Sequence, residues 1–341
     1  MKEVVCFSKS VARLSWSVVA FFSLAAVVLQ AQPLTIYSGR SSALVDPLVR
    51  KFQEETGIEA VVRYGGSAQL ALALRQEGAR TRADLFWAQD SGALSAVDRS
   101  GLFADLPEAL LEGLDNAYRN SAGTWLGTSA RARVLAYAPD RVDEADLPER
   151  LEDLASERWR GRVGWAPTNG SFQAFVTALR SLRGEDAAAE WLRDMKDNRA
   201  RSYPNNSSLV QALAAGEIDL ALTNHYYLLR FQQRDPAFPV AQKAFAAGDP
   251  GNLLIVSGLG ILESSERGAD ARRFIDFMLS EMAQKYFVEE TFEIPVRIFG
   301  TETADHEWNA AAAAERGPEV GRDTLEDLEG TLRVLRRLDL L

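Results

Sequence analysis

Two neighbouring tyrosines, Tyr226 and Tyr227, have the most distinctive chemistry in this 341-residue sequence. They end the tetrapeptide 224–227, which follows an apolar run at 218–223, and helical sequence resumes at Leu228. A buried strand that ends in polar residues and turns into a helix is where α/β proteins place ligands. Phenolate oxygen is a hard, anionic ligand suited to a small, highly charged cation such as a ferric ion. The alternative is that both are partly buried aromatic residues with hydrogen-bonded hydroxyls.

His225, directly before the tyrosines, is a further candidate metal ligand. Its alternative role is to hydrogen-bond around a metal site without coordinating the metal, since such sites depend on these partners. His306 is the only other histidine, which excludes a His-rich zinc site. A Ser-His-Asp triad would have to use one of these two histidines, and the sequence contains no G-x-S-x-G, P-loop or G-x-G-x-x-G motif. A hydrolase therefore remains only a minor alternative.

Three polar turns lie where strands are predicted to lead into helices, at 39–42, 168–171 and 205–208. The N–H groups and the dipole at a helix N-terminus suit an anion. Each turn is also explained as an ordinary helix cap, because Ser, Thr and Asn cap helices routinely. Together with Arg40 and Arg131, the turns predict a cleft that holds an anion beside the two phenols.

The elements that must position these residues alternate between strand and helix. Strands are predicted at 34–38, 59–64, 84–88, 162–165, 218–223 and 253–262, and helices at 43–56, 68–77, 172–183, 187–196, 209–215, 269–279, 282–287 and 322–341. This alternation is typical of an α/β protein with a largely parallel sheet. Two β-type stretches within 124–138 indicate a crossing from one lobe to another.

Length and composition place further bounds on function. A chain of this length predicts two lobes with separate cores, and 47% hydrophobic and 25% charged residues are ordinary for a globular protein. The formal net charge is −10, and it becomes −12 without the first 32 residues. That charge argues against nucleic acid or an anionic membrane surface as a partner.

The first 32 residues are predicted to be a secretion signal. Lys2, Lys9 and Arg13 precede an apolar stretch at 16–29, which is short for a bilayer span of roughly 20 residues. An uncleaved N-terminal anchor is the alternative. Cys6, the only cysteine, would leave with the signal, so the mature chain would have no disulfide or thiolate site.

Five segments together resemble the periplasmic ferric-iron-binding proteins, the substrate-binding components of iron ABC transporters. These segments are 37–41, 83–90, 164–172, 224–227 and 248–252. The resemblance implies a two-lobed Venus-flytrap fold with an interlobe cleft, with residues 33–131 and 254–305 in the N-terminal lobe and 132–253 and 306–341 in the C-terminal lobe. It also implies a periplasmic, monomeric protein without enzymatic activity, which delivers iron to an inner-membrane ABC permease and its ATPase.

The resemblance assigns roles to individual residues as well. Tyr226 and Tyr227 are expected to bind Fe3+, with carbonate or phosphate as a synergistic anion. The expected anion-binding residues are Arg40, Arg131, Thr168, Asn169, Gly170, Ser171, Asn206 and Asn224. Additional metal ligands or their hydrogen-bonding partners are expected among Tyr37, Gln89 and His225.

The sequence departs from the family pattern at several ligand positions. Some relatives have His, or His-Tyr, where Ser41 and Ser42 stand, Glu at Gln89, and a third Tyr at Asn169. The site would then use two tyrosines with anion and water, or recruit a tyrosine such as Tyr37, Tyr64 or Tyr203. The alternative function is the same fold with an organic cation, such as thiamine or a polyamine, or an oxyanion.

Overall fold

The computed structural model describes residue 1, residues 32–299 and, towards the C-terminus, residues 313, 315–318, 325 and 327–341. Most of the predicted signal segment lies outside these residues. Residues 33–341 form one compact unit. Its strands are β1 Leu34–Ser38, β2 Ala60–Tyr64, β3 Leu85–Ala88, β4 Trp125–Tyr137, β5 Val163–Trp165, β6 Arg201–Ser202, β7 Leu220–Asn224, β8 Ala241–Lys243, β9 Leu254–Ile261 and β10 Ile294–Pro295.

Most helices within the described residues correspond to predicted ones, whereas the helices at Ser91–Asp98 and Glu108–Leu111 were not predicted. They are α1 Ser42–Thr56, α2 Ser67–Glu77, α3 Ser91–Asp98, α4 Glu108–Leu111, α5 Gly170–Arg183, α6 Glu185–Asp197, α7 Asn206–Ala214, α8 His225–Arg234, α9 Gly268–Met278, α10 Glu281–Glu289 and α11 Leu328–Arg337. In α1 the apolar face is buried around Phe52, and the helix ends at Gly57, whose φ of 70° is the left-handed conformation that glycine adopts most readily. The predicted tail helix is confirmed over α11, whereas 322–324 and 326 lie outside the described residues.

The sheet is mixed, so the prediction of a largely parallel sheet was wrong. Its order is β2-β1-β3-β9-β4-β7-β5-β6, with β8 and β10 also pairing with β4. Neighbours are parallel within β2-β1-β3 and within β7-β5-β6. The long strands β4 and β9 lie between these two parallel parts, and they are antiparallel to each other and to their other neighbours.

Strand β4 passes from one part of the sheet to the other. Its residues 125–132 pair with β9, and 133–137 pair with β7 and β8. The two β-type stretches seen in the sequence are thus one 13-residue strand, with a register shift between Gly127 and Ser129. The partner of β4 changes from β9 to β7 after Ala132, next to the predicted lobe boundary at 131/132. The complete division of the chain into two lobes stays a prediction.

Strand β7 and helix α8 place the paired tyrosines. All five residues of β7 are buried, and α8 begins at His225 without an intervening loop. Tyr226 and Tyr227 therefore lie in the first turn of the helix. The sequence had suggested that they precede it. Just before β7, the Asp219 carboxylate accepts hydrogen bonds from Arg141 Nε at 2.7 Å and Arg162 Nε at 2.5 Å.

Replacing this carboxylate tests how firmly β7 is held. Asp219→Asn is expected to lower the free energy of unfolding by about 1 kcal/mol, because two charge-assisted hydrogen bonds to partly exposed arginines are lost. Urea unfolding followed by circular dichroism measures the change. Glu263→Gln, which removes an exposed carboxylate, is the matched control. Equal stabilities for the two variants would contradict the expectation.

Candidate metal and anion site

The two tyrosine rings stack on each other in the first turn of α8. Their centroids lie 4.2 Å apart with an interplanar angle of 29°. Tyr226 is 6% exposed and Tyr227 is partly buried. Burial raises the pKa of Tyr226 above its ordinary value, as does the neighbouring Tyr227, while Arg131 acts in the opposite direction. Tyr226 is therefore a neutral phenol at pH 7 in the ligand-free protein, and a metal ion would have to displace its proton.

Two arginines on β4, Arg131 and Arg133, lie near the phenols. Both are almost fully buried, and the alternation of a strand places their side chains on the same face. Arg131 Nη2 donates to the backbone carbonyl of Gln89, and Arg133 Nη1 donates to Asn224 Oδ1 at 3.1 Å. Among the described residues, the other two nitrogens of each guanidinium have no hydrogen-bond partner.

Unpartnered donors on buried cations indicate an anionic ligand. Burial lowers the pKa of Arg133 to about 10, and the two tyrosines oppose that shift. Burial, together with the charge of Arg40, also lowers the pKa of Arg131. Because a buried charge is costly unless it is paired, two buried guanidiniums with free nitrogens favour binding of an oxyanion here.

Arg40, predicted to bind the anion, is instead held in an ion pair within the protein. Its Nη2 lies 2.6 Å from Glu293 Oε1, and its Nη1 donates to Ser257 Oγ at 3.0 Å. Glu293 Oε2 also accepts from Ser129 Oγ at 2.6 Å. Burial acts to raise the pKa of Glu293, but Arg40 and Arg131 outweigh it and hold the pKa below its ordinary value. Arg40 is therefore neutralised, unlike Arg131.

The turns before α5 and α7 are joined by a hydrogen bond between Asn206 and Ser171. Asn169 caps α5, and its Oδ1 accepts from Ser171 N at 3.0 Å and Ser171 Oγ at 2.6 Å. Asn206, at the start of α7, donates through Nδ2 to Ser171 Oγ at 3.2 Å, while its buried Oδ1 has no partner among the described residues. Thr168 and Gly170 are exposed beside them. These polar groups surround two helix N-termini, which suit an anion.

His225 and Gln89 both form hydrogen bonds at or beside Arg131 of β4. His225 is buried, and its Nδ1 accepts from the backbone N–H of Ala132 at 3.2 Å, which joins α8 to the middle of β4. The Gln89 side chain is exposed, and the residue contributes its carbonyl to Arg131. The Nδ1 contact favours a supporting role for His225.

The other tyrosines considered as extra ligands are engaged elsewhere. Tyr37 donates to Glu77 Oε2 at 3.2 Å and accepts from Arg63 Nη1 at 2.8 Å. The hydroxyl of Tyr64 donates to Asp46, and that of Tyr203 donates to Glu217 at 2.9 Å. Each of the three hydroxyls is therefore hydrogen-bonded to an acidic side chain.

Sequence reasoning missed Arg133 and Glu293. A signal for Arg133 was present, because arginines at two alternating positions of an otherwise apolar strand must both be buried on one face. Glu293 gave no local signal, since its partner Arg40 is 253 residues away in the chain.

Two features are absent from the part of the chain that the structure describes. Within the described residues, no three His, Cys, Asp or Glu side chains are grouped to hold a metal ion. In the same residues, no helix combines the length and hydropathy needed to cross a bilayer.

Comparison with known proteins identifies the family. The family model of the bacterial extracellular solute-binding proteins matches residues 81–317. The chain belongs to this family. It is 35% identical over 270 residues to the Fe(3+)-binding periplasmic protein of Serratia marcescens, covering 78% of this chain and 80% of that relative. It is 30% identical over 325 residues to the major ferric iron-binding protein of Neisseria meningitidis serogroup A, covering 92% and 96%.

A solved structure of the family has the same fold as this solute-binding protein. Iron-bound HitA from Pseudomonas aeruginosa superposes with a TM-score of 0.80 at 34% sequence identity, covering 90% of this chain and 99% of HitA. The predicted two-lobed α/β fold and the resemblance to periplasmic ferric-iron-binding proteins are thus confirmed. The relatives named here are binding proteins.

Proposed function

We propose that this solute-binding protein carries Fe3+ in the periplasm and delivers it to an inner-membrane ABC permease with its ATPase. Tyr226 and Tyr227 bind the ion as phenolates, and carbonate or phosphate completes the coordination. One observation carries the proposal: two stacked phenols interact electrostatically with two buried guanidiniums whose donors lack partners among the described residues. The ferric-iron-binding relatives support the same ligand. The protein acts as a secreted monomer and catalyses no reaction.

Charge balance explains why an anion is needed. Two phenolates reduce the charge of a ferric ion from +3 to +1, and Arg131 and Arg133 each add a positive charge. A divalent or trivalent oxyanion offsets this excess, accepts hydrogen bonds from the free guanidinium nitrogens and supplies oxygen ligands to the metal. The N-termini of α5 and α7 add further donors.

The position of β4 suggests how the permease could distinguish the iron-loaded protein from the empty one. Arg131 lies where β4 pairs with β9, and Arg133 lies where it pairs with β7. An anion and a metal ion that contact both the β9-paired and the β7-paired segments of β4 favour the closed arrangement of the lobes over the open one. Because coordination requires deprotonated phenols, binding releases protons and weakens in acid.

Titration of metal-free protein with a ferric chelate tests the proposal. Bound phenolate is expected to give a charge-transfer band in the visible, and metal analysis is expected to find one iron per chain. Ga3+ is the matched control, because it has the same charge but a filled d shell and gives no such band. A colourless protein that retains no iron in the presence of carbonate or phosphate would contradict the proposal.

A metal-free oxyanion is a second candidate ligand, because Arg131 and Arg133 alone form an anion-binding pair. Calorimetry with phosphate in the absence of iron separates the candidates. Tight anion binding that iron does not strengthen would favour the oxyanion alone. The same two cations disfavour an organic cation as ligand.

A further inference from the structure

Arg230 lies one helical turn after Tyr226 on α8 and contacts its ring. The guanidinium carbon Cζ is 4.7 Å from the ring centroid of Tyr226. Residues four apart on a helix are neighbours, so the backbone itself brings the two side chains together. Tyr226 thus contacts the ring of Tyr227 and the guanidinium of Arg230 at once.

The contacts of Arg230 differ from those of the arginines on β4. Arg230 is partly exposed, and among the described residues it forms no ion pair with an acidic side chain. Within the part of the chain that the structure describes, its guanidinium stacks on the ring that the proposed function makes a metal ligand, and its charge also acts on the phenol of Tyr286. A cation over a ring is attracted by the π electrons, and this attraction grows when the ring carries negative charge.

We propose that Arg230 is a positioning residue for iron binding, which holds the Tyr226 ring in place and stabilises the negative charge on it in the metal complex. This inference rests on the proposed function and adds a residue that does not touch the metal. Preorganising a ligand reduces the entropy lost when it binds. Arg230 therefore helps to retain the ion. Its charge also lowers the energy of the phenolate electrons that are transferred to iron in the charge-transfer band.

The sign of the spectral effect follows from distance. Arg230 lies over the Tyr226 ring, whereas an ion bound to the hydroxyl oxygen would lie beyond the edge of that ring. The positive charge of Arg230 should therefore stabilise the donor electrons more than the acceptor orbitals on iron. Removing the charge raises the donor level and lowers the transition energy. The charge-transfer band should then move to longer wavelength, whereas loss of a tyrosine should reduce or abolish it.

Arg230→Met keeps the length and packing of the side chain and removes its charge. We expect Arg230→Met to keep a charge-transfer band, shifted to longer wavelength, and to lose iron to a competing chelator about 3- to 30-fold faster than wild type. Arg230→Lys keeps a positive charge, so its band position and its rate of iron loss are expected to lie between those of wild type and Arg230→Met. Arg234→Met, an exposed change at the end of the same helix, is the matched control and should behave as wild type.

An unchanged band and release rate in Arg230→Met would overturn the inference. A crystal structure of the ligand-free Arg230→Met variant tests positioning independently of iron. The Tyr226 ring should occupy more than one orientation there, and a ring fixed as in wild type would overturn the positioning role. Wild-type protein without any band would instead contradict the proposed function, while the crystal structure would still decide whether Arg230 holds the ring.

Discussion

Replacing Tyr227 by phenylalanine is expected to remove most ferric-ion binding and the visible charge-transfer band. The same result is expected for Tyr226→Phe. Each change deletes one of the two proposed anionic ligands, so the loss of affinity should exceed the roughly 10- to 100-fold that loss of a supporting partner around a metal costs. Phenylalanine preserves ring stacking, so both variants should fold as wild type does.

Competition with a ferric chelator, followed in the visible spectrum, measures these losses. Tyr37→Phe is the control, because its hydroxyl is bound to Glu77 and Arg63 and it should retain full iron binding. Circular dichroism and thermal unfolding establish that each variant is folded. A Tyr227→Phe protein that still binds one ferric ion with an unchanged band would show that this phenol is not a ligand.

Local sequence patterns were sufficient to find the paired tyrosines. The apolar run before Asn224 predicted the buried strand, and the polar residues after it predicted the ligand-binding end. Similar local reasoning located the turn at Asn169 and the helix that follows. In each case the signal and the element lie within a few residues of each other.

Tyr37 shows what local reasoning could not supply. It was considered as an extra ligand because the sequence lacks several ligands of the family pattern, and it lies in β1, next to the last residue. Side chains on β1 alternate between two faces, and Ile36 and Tyr37 pack in different apolar clusters. Which face would meet the site depended on sheet order, and that order is set by β4 and β9, whose antiparallel pairing the sequence pattern did not reveal.

The charge environment of the site depends on contacts between distant parts of the chain. Arg40 and Glu293 are brought together by β1, β9 and β10, so the sequence alone suggested that Arg40 was available to bind an anion. Once Glu293 neutralises Arg40, Arg131 and Arg133 are the arginines near the phenols whose guanidiniums keep nitrogens without a hydrogen-bond partner among the described residues. The ion pair therefore limits the proposed anion site to the face of β4 that carries Arg131 and Arg133.

Glu293→Gln is expected to lower the free energy of unfolding by about 3 to 5 kcal/mol, because it leaves Arg40 buried without its counter-charge. The double variant Arg40→Met/Glu293→Met removes both charges and should recover part of that loss. Urea unfolding of wild type and both variants measures the difference. A single variant as stable as wild type would show that the pair does not stabilise this part of the fold.

The pH dependence of stability provides a second test of the same pair. The pKa of Glu293 lies below its ordinary value in the folded protein, so the ion pair stabilises the fold above the unfolded-state pKa of about 4.3. This contribution is lost as the pH falls through the lower, folded-state pKa. The stability of wild type should therefore fall more steeply than that of Glu293→Gln below about pH 4.3, and the two curves should approach each other in acid. Parallel curves would mean that the carboxylate of Glu293 is not what holds Arg40 in the interior.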